Sequence, residues 1–472
     1  MTHTKSNSAN QRTGLWHDLR ESLTDSERDF TRLKVGRAIL LLSVPMVLEM
    51  VMESVFAVVD IFFVARLGAD SVAAVGLTES LLTLVYAVAG GLAISTTALV
   101  SRRIGEKRAD RAAATAVQAL YLGTAVSTVV ALPALLFSSD LLRLMGASQT
   151  VIAVGGGYTR LIMGGNAVVM VLFITNAVFR GAGDAAIAMR VLWMANLINI
   201  VLDPCLILGL GPFPRLGVTG AALATLLGRG FGVAYQFHLL ARKRGRIKIL
   251  REHLVLQWRL IGKLLRLSLG GIGQALIATT SWIVLMRFMA RFGSQALAGY
   301  TIAIRVIIFT LLPSWGMANA AATLVGQNLG AGRPDRAERS AWITAAANMG
   351  FLGLVALVFL IVPEAVITLF TADVVVIRFG SLSLRVIAAG YLFYALEMVL
   401  AQAFNGAGDT RTPMWINLFC FWLVEIPLAY LLAFGLDRGA AGVLWAITLS
   451  ESLAGAVAFF LFKRGRWKSN QV

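Results

Sequence analysis

Charge is what this 472-residue chain has least of. Charged residues make up only 14% and hydrophobic ones 58%, whereas a soluble domain carries roughly 25% charged residues. A soluble fold cannot hide that much apolar surface, so a soluble enzyme and a nucleic-acid-binding domain are both excluded. Cysteine is nearly absent. Cys205 and Cys420 stand apart inside apolar stretches, which implies neither a disulfide framework nor a zinc site. The four histidines, His3, His17, His238 and His253, make no metal cluster. No Gly-x4-Gly-Lys-Ser/Thr loop occurs, because Gly262-Lys263 is followed by Leu264. Any pumping would therefore draw on an ion gradient or a separate subunit. Gly271-x-Gly273 meets Leu276 where a dinucleotide fingerprint needs its third glycine. A polytopic membrane enzyme would need a His cluster, a Ser–Lys pair or metal-ligand spacing, and none is found. The expectation is no enzyme and no cofactor.

What is present is long apolar runs. A helix needs about 20 apolar residues to cross a bilayer core of roughly 30 Å. Twelve stretches qualify: 38–65, 71–100, 112–137, 148–179, 186–209, 218–241, 259–290, 295–326, 338–362, 373–404, 412–434 and 440–462. The connections are short and rich in Gly, Pro and charge, as in residues 209–217. Residues 1–34 lack the compact apolar run and cleavage site of a secretory signal. Leu15, Trp16, Leu19 and Leu23 recur at helical spacing, as in a segment lying on the membrane surface; disorder is the alternative.

The net charge of +17 follows topology. Of 42 basic residues, 31 fall in 1–37, 101–111, 180–190, 242–266, 333–339 and 463–468 or at Arg411. If the N-terminus is cytoplasmic, all of these lie inside, as the positive-inside rule requires. Both termini are expected in the cytoplasm.

An internal repeat runs at a constant offset of 225 residues. Arg66-Leu67-Gly68 matches Arg291-Phe292-Gly293, and Leu99, Val100, Gly105, Arg108, Asp110 and Arg111 match Leu324, Val325, Gly330, Arg333, Asp335 and Arg336. Phe179-x-Gly-Ala-Gly-Asp184 matches Phe404-x-Gly-Ala-Gly-Asp409. Six spans per half, an even number, give both halves one orientation. Parallel repeats related by an axis along the membrane normal belong to secondary transporters. The expected organisation is a cytoplasmic tail (1–35), an N-lobe (36–241), a basic linker (242–258), a C-lobe (259–462) and a cytoplasmic tail (463–472).

Acids inside spans carry the functional signal, since a charge at a helix centre costs roughly 2.5–3.5 kcal/mol on insertion scales. Glu49, Glu53 and Asp60 form one stripe on the first span. Asn199 and Asp203 share a face on the fifth, and Thr225 adds a hydroxyl on the sixth. Asp60, Asn199, Asp203 and Thr225 form an all-oxygen set able to hold Na⁺ or to exchange protons. The structural alternatives are that Asp60 caps a neighbouring helix or pairs with Arg66, and that Asp203 serves backbone freed by Pro204. Glu53 is a cation ligand or a lining of a wet cavity, while Glu49 lies nearer the inner end and reads as solvated. On the second half Glu397 is expected to pair with Arg385 or to face the central cavity. Leu285 stands where the repeat would place the mate of Asp60, so the ion site belongs to the first half. Asp184 and Asp409 read as caps of the helices that follow. Pro45, 15 residues before Asp60, marks a hinge in the first helix. Arg305 needs a partner, and its repeat mate Ser80 adjoins Glu79, so Glu79 and Arg305 are expected to approach across the cleft.

Together these features resemble the multidrug and toxic compound extrusion (MATE) family over about 36–462. The resemblance rests on Pro45 with Asp60 in Val-Asp-x-x-Phe-Val-Ala-Arg-Leu-Gly, on Val325-Gly-Gln-Asn-Leu-Gly-Ala-Gly332, and on the duplicated Gly-Ala-Gly-Asp turns. It implies an all-α membrane fold of twelve helices in two six-helix bundles around a V-shaped cavity. It also implies exchange of Na⁺ or H⁺ for organic, often cationic, substrates. Within the family the chain is similar to the DinF-like branch, marked by an N-lobe site carried here by Asp60, Asn199, Asp203 and Thr225. Residues 408–413 and Pro427 also resemble that branch. The acid that the NorM-like branch carries on its seventh span is missing here. The expected setting is the bacterial inner membrane, and the expected partners are small organic substrates and lipids, with no nucleic acid; a monomer is expected. A related alternative is a lipid-linked oligosaccharide flippase, which would need a more cationic cavity than one in which acids outnumber Arg229 and Arg305.

Overall fold

The computed structural model describes residues 15–24, 28–241 and 246–470. The first 14 residues of the N-terminal tail and residues 242–245 of the linker lie outside them. Among the described residues the chain is helical throughout: α1 (Leu15–Ser22), α2 (Val35–Ala65), α3 (Ala69–Gly105), α4 (Ala109–Leu144), α5 (Gln149–Gly164), α6 (Asn166–Ala182), α7 (Ala185–Leu208), α8 (Val218–Ala241), α9 (Trp258–Ala290), α10 (Ser294–Gly330), α11 (Pro334–Ile361), α12 (Pro363–Thr368), α13 (Val374–Ala388), α14 (Tyr391–Gly406), α15 (Arg411–Gly435) and α16 (Gly439–Lys463). The second half repeats the first in register. α3 and α10 are both 37 residues long, and each follows a glycine, Gly68 or Gly293, with φ of 100°.

Nine spans among the described residues are long and apolar enough to cross a membrane, and the bent pair α13–α14 makes a tenth. Two further helices, α2 with 31 residues and α8 with 24, are also long enough at 1.5 Å per residue. The total is the expected twelve, in two bundles of six. Two expected spans are broken. The fourth divides into α5 and α6 around Gly165, and the tenth bends by 58° between α13 and α14. α2, by contrast, runs as one helix through Pro45, which is buried.

Pseudosymmetric glycine contacts join the halves. A Cβ on Gly105 would lie 2.0 Å from the Gln327 carbonyl oxygen, and one on Gly330 2.1 Å from that of Arg102. Gly91 and Gly316 are another such pair. Gly91 meets the backbone of Ser268 and Ile272, and Gly316 meets that of Met46 and Val47. The Gly105–Gln327 and Gly330–Arg102 contacts are each other displaced by 225 residues, as are Gly91–Ile272 and Gly316–Val47, which places the repeat axis between α2–α3 and α9–α10. Backbones this close need residues without side chains. Ser95 Oγ and Ser268 Oγ, 2.8 Å apart, and Gln327 Nε2 donating to Gly181 O at 3.0 Å add polar links. All these contacts lie toward the end that bears both termini. Farther along α2, Val55, Val58 and Phe62 are exposed, and the bundles diverge into the V.

The tail and linker fold onto the terminal end. Arg37 bonds Asp18 and Glu21 of α1 at 2.8 Å each, so α1 is docked on α2, and Trp16 remains exposed. His17, Asp18 and Glu21 come within 4.8 Å of one another, but Arg28 and Arg37 already occupy the carboxylates. The linker is held by Gln118, which donates to Val255 O at 2.9 Å and accepts from Gln257 N at 3.0 Å. Asp409 caps its helix as expected, accepting from Thr412 N at 3.1 Å and Thr412 Oγ1 at 2.7 Å. Asp184 does not cap α7; it turns to Arg246 of the linker, 3.6 Å away.

The glycine contacts make a direct prediction. Gly330→Ala drives a Cβ into backbone, and overpacking of this kind costs about 1–3 kcal/mol. A lowered melting temperature is expected in detergent. Gly350→Ala, with nothing within 4 Å, should leave it unchanged. Equal melting temperatures for the two variants would contradict the contact.

Candidate functional site

α7 and α8 build one wall of the site. Gly228 and Gly232 of α8 pack on Ala195 and its neighbours, bringing Thr225 against Asn199. Asn199 Nδ2 donates to Thr225 Oγ1 at 3.2 Å and, more weakly, to Asp203 Oδ1 at 3.4 Å. Asn199 is 2% exposed and Asp203 is fully buried. Among the described residues, Asn199 Oδ1 and Asp203 Oδ2 have no hydrogen-bond partner. Such orphaned buried acceptors are rare and call for a cation, a proton or a water.

Asp60, from α2, stands within electrostatic reach of Asp203, Glu79, Arg229 and Tyr158. The four expected residues therefore converge on one region of the N-lobe. Asn199 bonds both Asp203 and Thr225, and Asp60 lies within electrostatic reach of Asp203. Pairing of Asp60 with Arg66 is not seen: the Arg66 guanidinium sits 4.6 Å over the Phe62 ring.

A second network lies two turns back along α2, at Glu53. Glu53 Oε1 accepts from Arg229 Nη2 at 3.3 Å, and Glu53 Oε2 from Asn196 Nδ2 at 3.1 Å. Arg229 Nη1 also donates to Tyr86 OH at 3.3 Å, and its guanidinium lies 5.6 Å from the Phe56 ring centre. Glu49 corrects the sequence reading. It is not solvated but 2% exposed, accepting from Arg180 Nη1 at 3.3 Å and Asn176 Nδ2 at 3.4 Å. Behind it Gln236 Nε2 donates to Asn176 Oδ1 at 2.6 Å, and Thr175 donates to Gln236 Oε1.

These networks border a cavity of about 350 Å³ between the lobes. Glu49, Glu53, Arg180 and Arg229 are its charged lining, with Phe173 and Trp315 among the aromatic part. Glu53 thus lines a cavity, one of its two expected roles. Glu397 has neither of its own. Arg385 pairs with Glu364 at 3.4 Å, and the cavity takes Gln402, Asn405 and Gly406 from α14 instead. Glu397 joins Glu425 and Glu451 in an acidic group inside the C-lobe, where Ser281 Oγ donates to Glu425 Oε2 at 2.6 Å. Arg305 lies within electrostatic reach of Glu79 across the halves, but among the described residues no ion pair joins them.

The sequence reading missed Arg180, Asn176, Tyr86 and Asn196. Asn196 was within reach, since it shares the helical face of Asn199 and Asp203 at spacings of three and seven. Arg180 was not, because it sits at the end of a span and counts there as a topology residue.

Comparisons with known proteins agree with this architecture. A profile of the MatE family matches residues 45–205 and 272–431, one block in each half. The probable multidrug resistance protein YoeA of Bacillus subtilis is 26% identical over 442 residues, covering 93% of this chain and 95% of its own. The probable multidrug resistance protein NorM of Pseudomonas aeruginosa is 30% identical over 456 residues, covering 91% and 90%. Among solved structures, the outward-facing conformation of a multidrug resistance MATE family transporter of the MOP superfamily has a TM-score of 0.87 at 26% identity. It covers 94% of this chain and 98% of its own. With both repeats matched and the fold shared along nearly the whole length, the chain belongs to the MatE family of membrane transporters.

Proposed function

We propose that this protein is a secondary multidrug efflux antiporter of the bacterial inner membrane, with both termini cytoplasmic and no covalent chemistry. It exchanges H⁺ or Na⁺ for organic substrates by alternating access. The observation that carries the reading is the pair of orphaned buried oxygens, Asn199 Oδ1 and Asp203 Oδ2, beside Asp60. They are acceptors only, so a proton or a Na⁺ satisfies them where a protein donor does not. The names of the relatives support the efflux direction, and the N-lobe set supports the DinF-like branch.

The cycle follows from charge. With the bundles joined at the cytoplasmic end, the cavity faces outward. Incoming cations, one positive charge for each carboxylate, neutralise Asp60 and Asp203, which removes the cost of closing water out. α2 then bends near Pro45, and substrate loses its site. The cations leave inward as the bundles rock. Pro45 is buried where α2 packs on α10, a position from which a bend would move Asp60 against the lobe interface.

Asp60→Asn is expected to abolish gradient-driven efflux in proteoliposomes while leaving the melting temperature and elution profile unchanged. Export at the wild-type rate by that variant would overturn the proposal. Topology is tested on a background lacking Cys205 and Cys420. A cysteine at Phe213 should react with an impermeant maleimide in intact cells, and one at Lys248 only after permeabilisation. The reverse pattern would invert the orientation.

A further inference from the structure

A hollow of about 930 Å³ opens at the end that bears the termini, where the two halves meet. Arg103 lies in the last turn of α3, Arg111 in the first turn of α4, and Arg259 and Lys263 in the first two turns of α9. Asp110 and Glu252 border it as well, so four cations face two acids. Arg103 pairs with Glu106 at 2.9 Å, whereas among the described residues Arg111, Arg259 and Lys263 form no ion pair. We infer that this hollow binds the phosphate headgroup of an anionic phospholipid and clasps it between the two halves.

Residue spacing builds the hollow. Arg259 and Lys263 are four apart and share one face of α9, as Arg111, Ala114 and Thr115 share one face of α4. Ala114 and Thr115 are small and leave the space between the cations open. Thr115 Oγ1 donates to Arg111 O at 2.8 Å, so its hydroxyl is already bonded within the helix. Without a ligand the cations repel one another. Lys263 lies within electrostatic reach of Arg102 and Arg103, with Glu106 the opposing charge. The first turn of α9 holds no acid, at the end where the helix dipole is itself positive. A phosphodiester supplies the missing negative charge and acceptor oxygens that guanidinium groups bind well. Depth favours a lipid over a free phosphate. Gln118, which bonds Val255 and Gln257 of the linker, stands nine residues into α4, about 13 Å along it. Leu254, Val255, Leu256 and Trp258 are exposed beside it, Trp258 by 75%. Apolar side chains exposed at that depth belong at the boundary of headgroups and acyl chains, where Trp is enriched. The hollow therefore sets its cations beside lipid-facing apolar surface, as a basic pocket for an anionic headgroup does. Arg103 precedes Gly105 by two residues, so a headgroup bound here joins α3 and α4 to α9 next to the glycine contacts.

Native mass spectrometry of the full-length protein in detergent tests this, with cardiolipin, phosphatidylglycerol or phosphatidylethanolamine added in turn and the affinity of the first bound lipid read. The wild type is expected to hold either anionic lipid at least about tenfold more tightly than the zwitterionic one. The triple variant Arg111→Gln/Arg259→Gln/Lys263→Gln should lose that preference. The control Lys34→Gln/Arg339→Gln/Arg464→Gln removes the same charge at exposed positions outside the hollow and should keep it. Arg259→Gln alone changes one exposed side chain and carries the same test if the triple variant does not fold, with an expected loss of about threefold or more. Undiminished anionic-lipid binding by the pocket variants would overturn the inference, as would an equal loss in the control or equal affinity for all three lipids. Glycerol 3-phosphate, a phosphate headgroup without acyl chains, separates the two sources of phosphate. In equimolar amount it should leave the bound lipid in place, and displacement of the lipid would overturn the assignment to a phospholipid.

Discussion

The molecule depends on a backbone contact that tolerates no side chain. Gly105 against Gln327 and Gly330 against Arg102, with Gly91 and Gly316 one level farther in, hold the two halves together around the repeat axis. Lipid offers no hydrophobic drive for helices to associate, so close approach through small residues is what joins them. Because these glycines cluster toward the end with the termini, that end is sealed and the opposite end splays. The same contacts bring α2, α3, α6 and α8 of one half opposite α10 and α14 of the other, which creates the central cavity.

Symmetry in the frame is matched by asymmetry in the chemistry. The first half places Glu49, Glu53 and Asp60 on one helix and answers them with Arg180, Arg229, Asn199 and Asp203 from others. The second half keeps Leu285, fully packed, where Asp60 has its mate. It gathers its own acids, Glu397, Glu425 and Glu451, inside the C-lobe and away from the cavity. On the proposed antiport reading, a symmetric scaffold carries its ion-responsive charges in one lobe. Glu53 and Arg229 lie at the meeting point, lining the cavity and adjoining Asp60.

Much of this was legible in the residues. Twelve spans follow from run length alone, and the repeat follows from an ungapped offset. The stripe on α2 and the Asn199–Asp203 face follow from helical periodicity. What was hidden depended on neighbours that periodicity does not name. Glu49 read as solvated because it lies toward one end of its span, yet Arg180 and Asn176 from α6 enclose it. Glu397 read as a partner of Arg385 or a cavity acid, but Arg385 pairs with Glu364 and the cavity takes Gln402, Asn405 and Gly406 from α14. Asp184 and Asp409 occupy identical motifs and diverge because only Asp184 has the linker's Arg246 beside it. The count of intramembrane arginines fell short for the same reason, since Arg180 sits at the end of a span.

The central claim is that an ion gradient is spent at the N-lobe acids to move substrate through the cavity. The most direct measurement is substrate efflux from proteoliposomes under an imposed pH gradient or an imposed Na⁺ gradient, each applied alone. Efflux driven by at least one of them, and collapsing when that gradient is dissipated, is the result the account predicts. Efflux that proceeds equally with no gradient of either ion would contradict it.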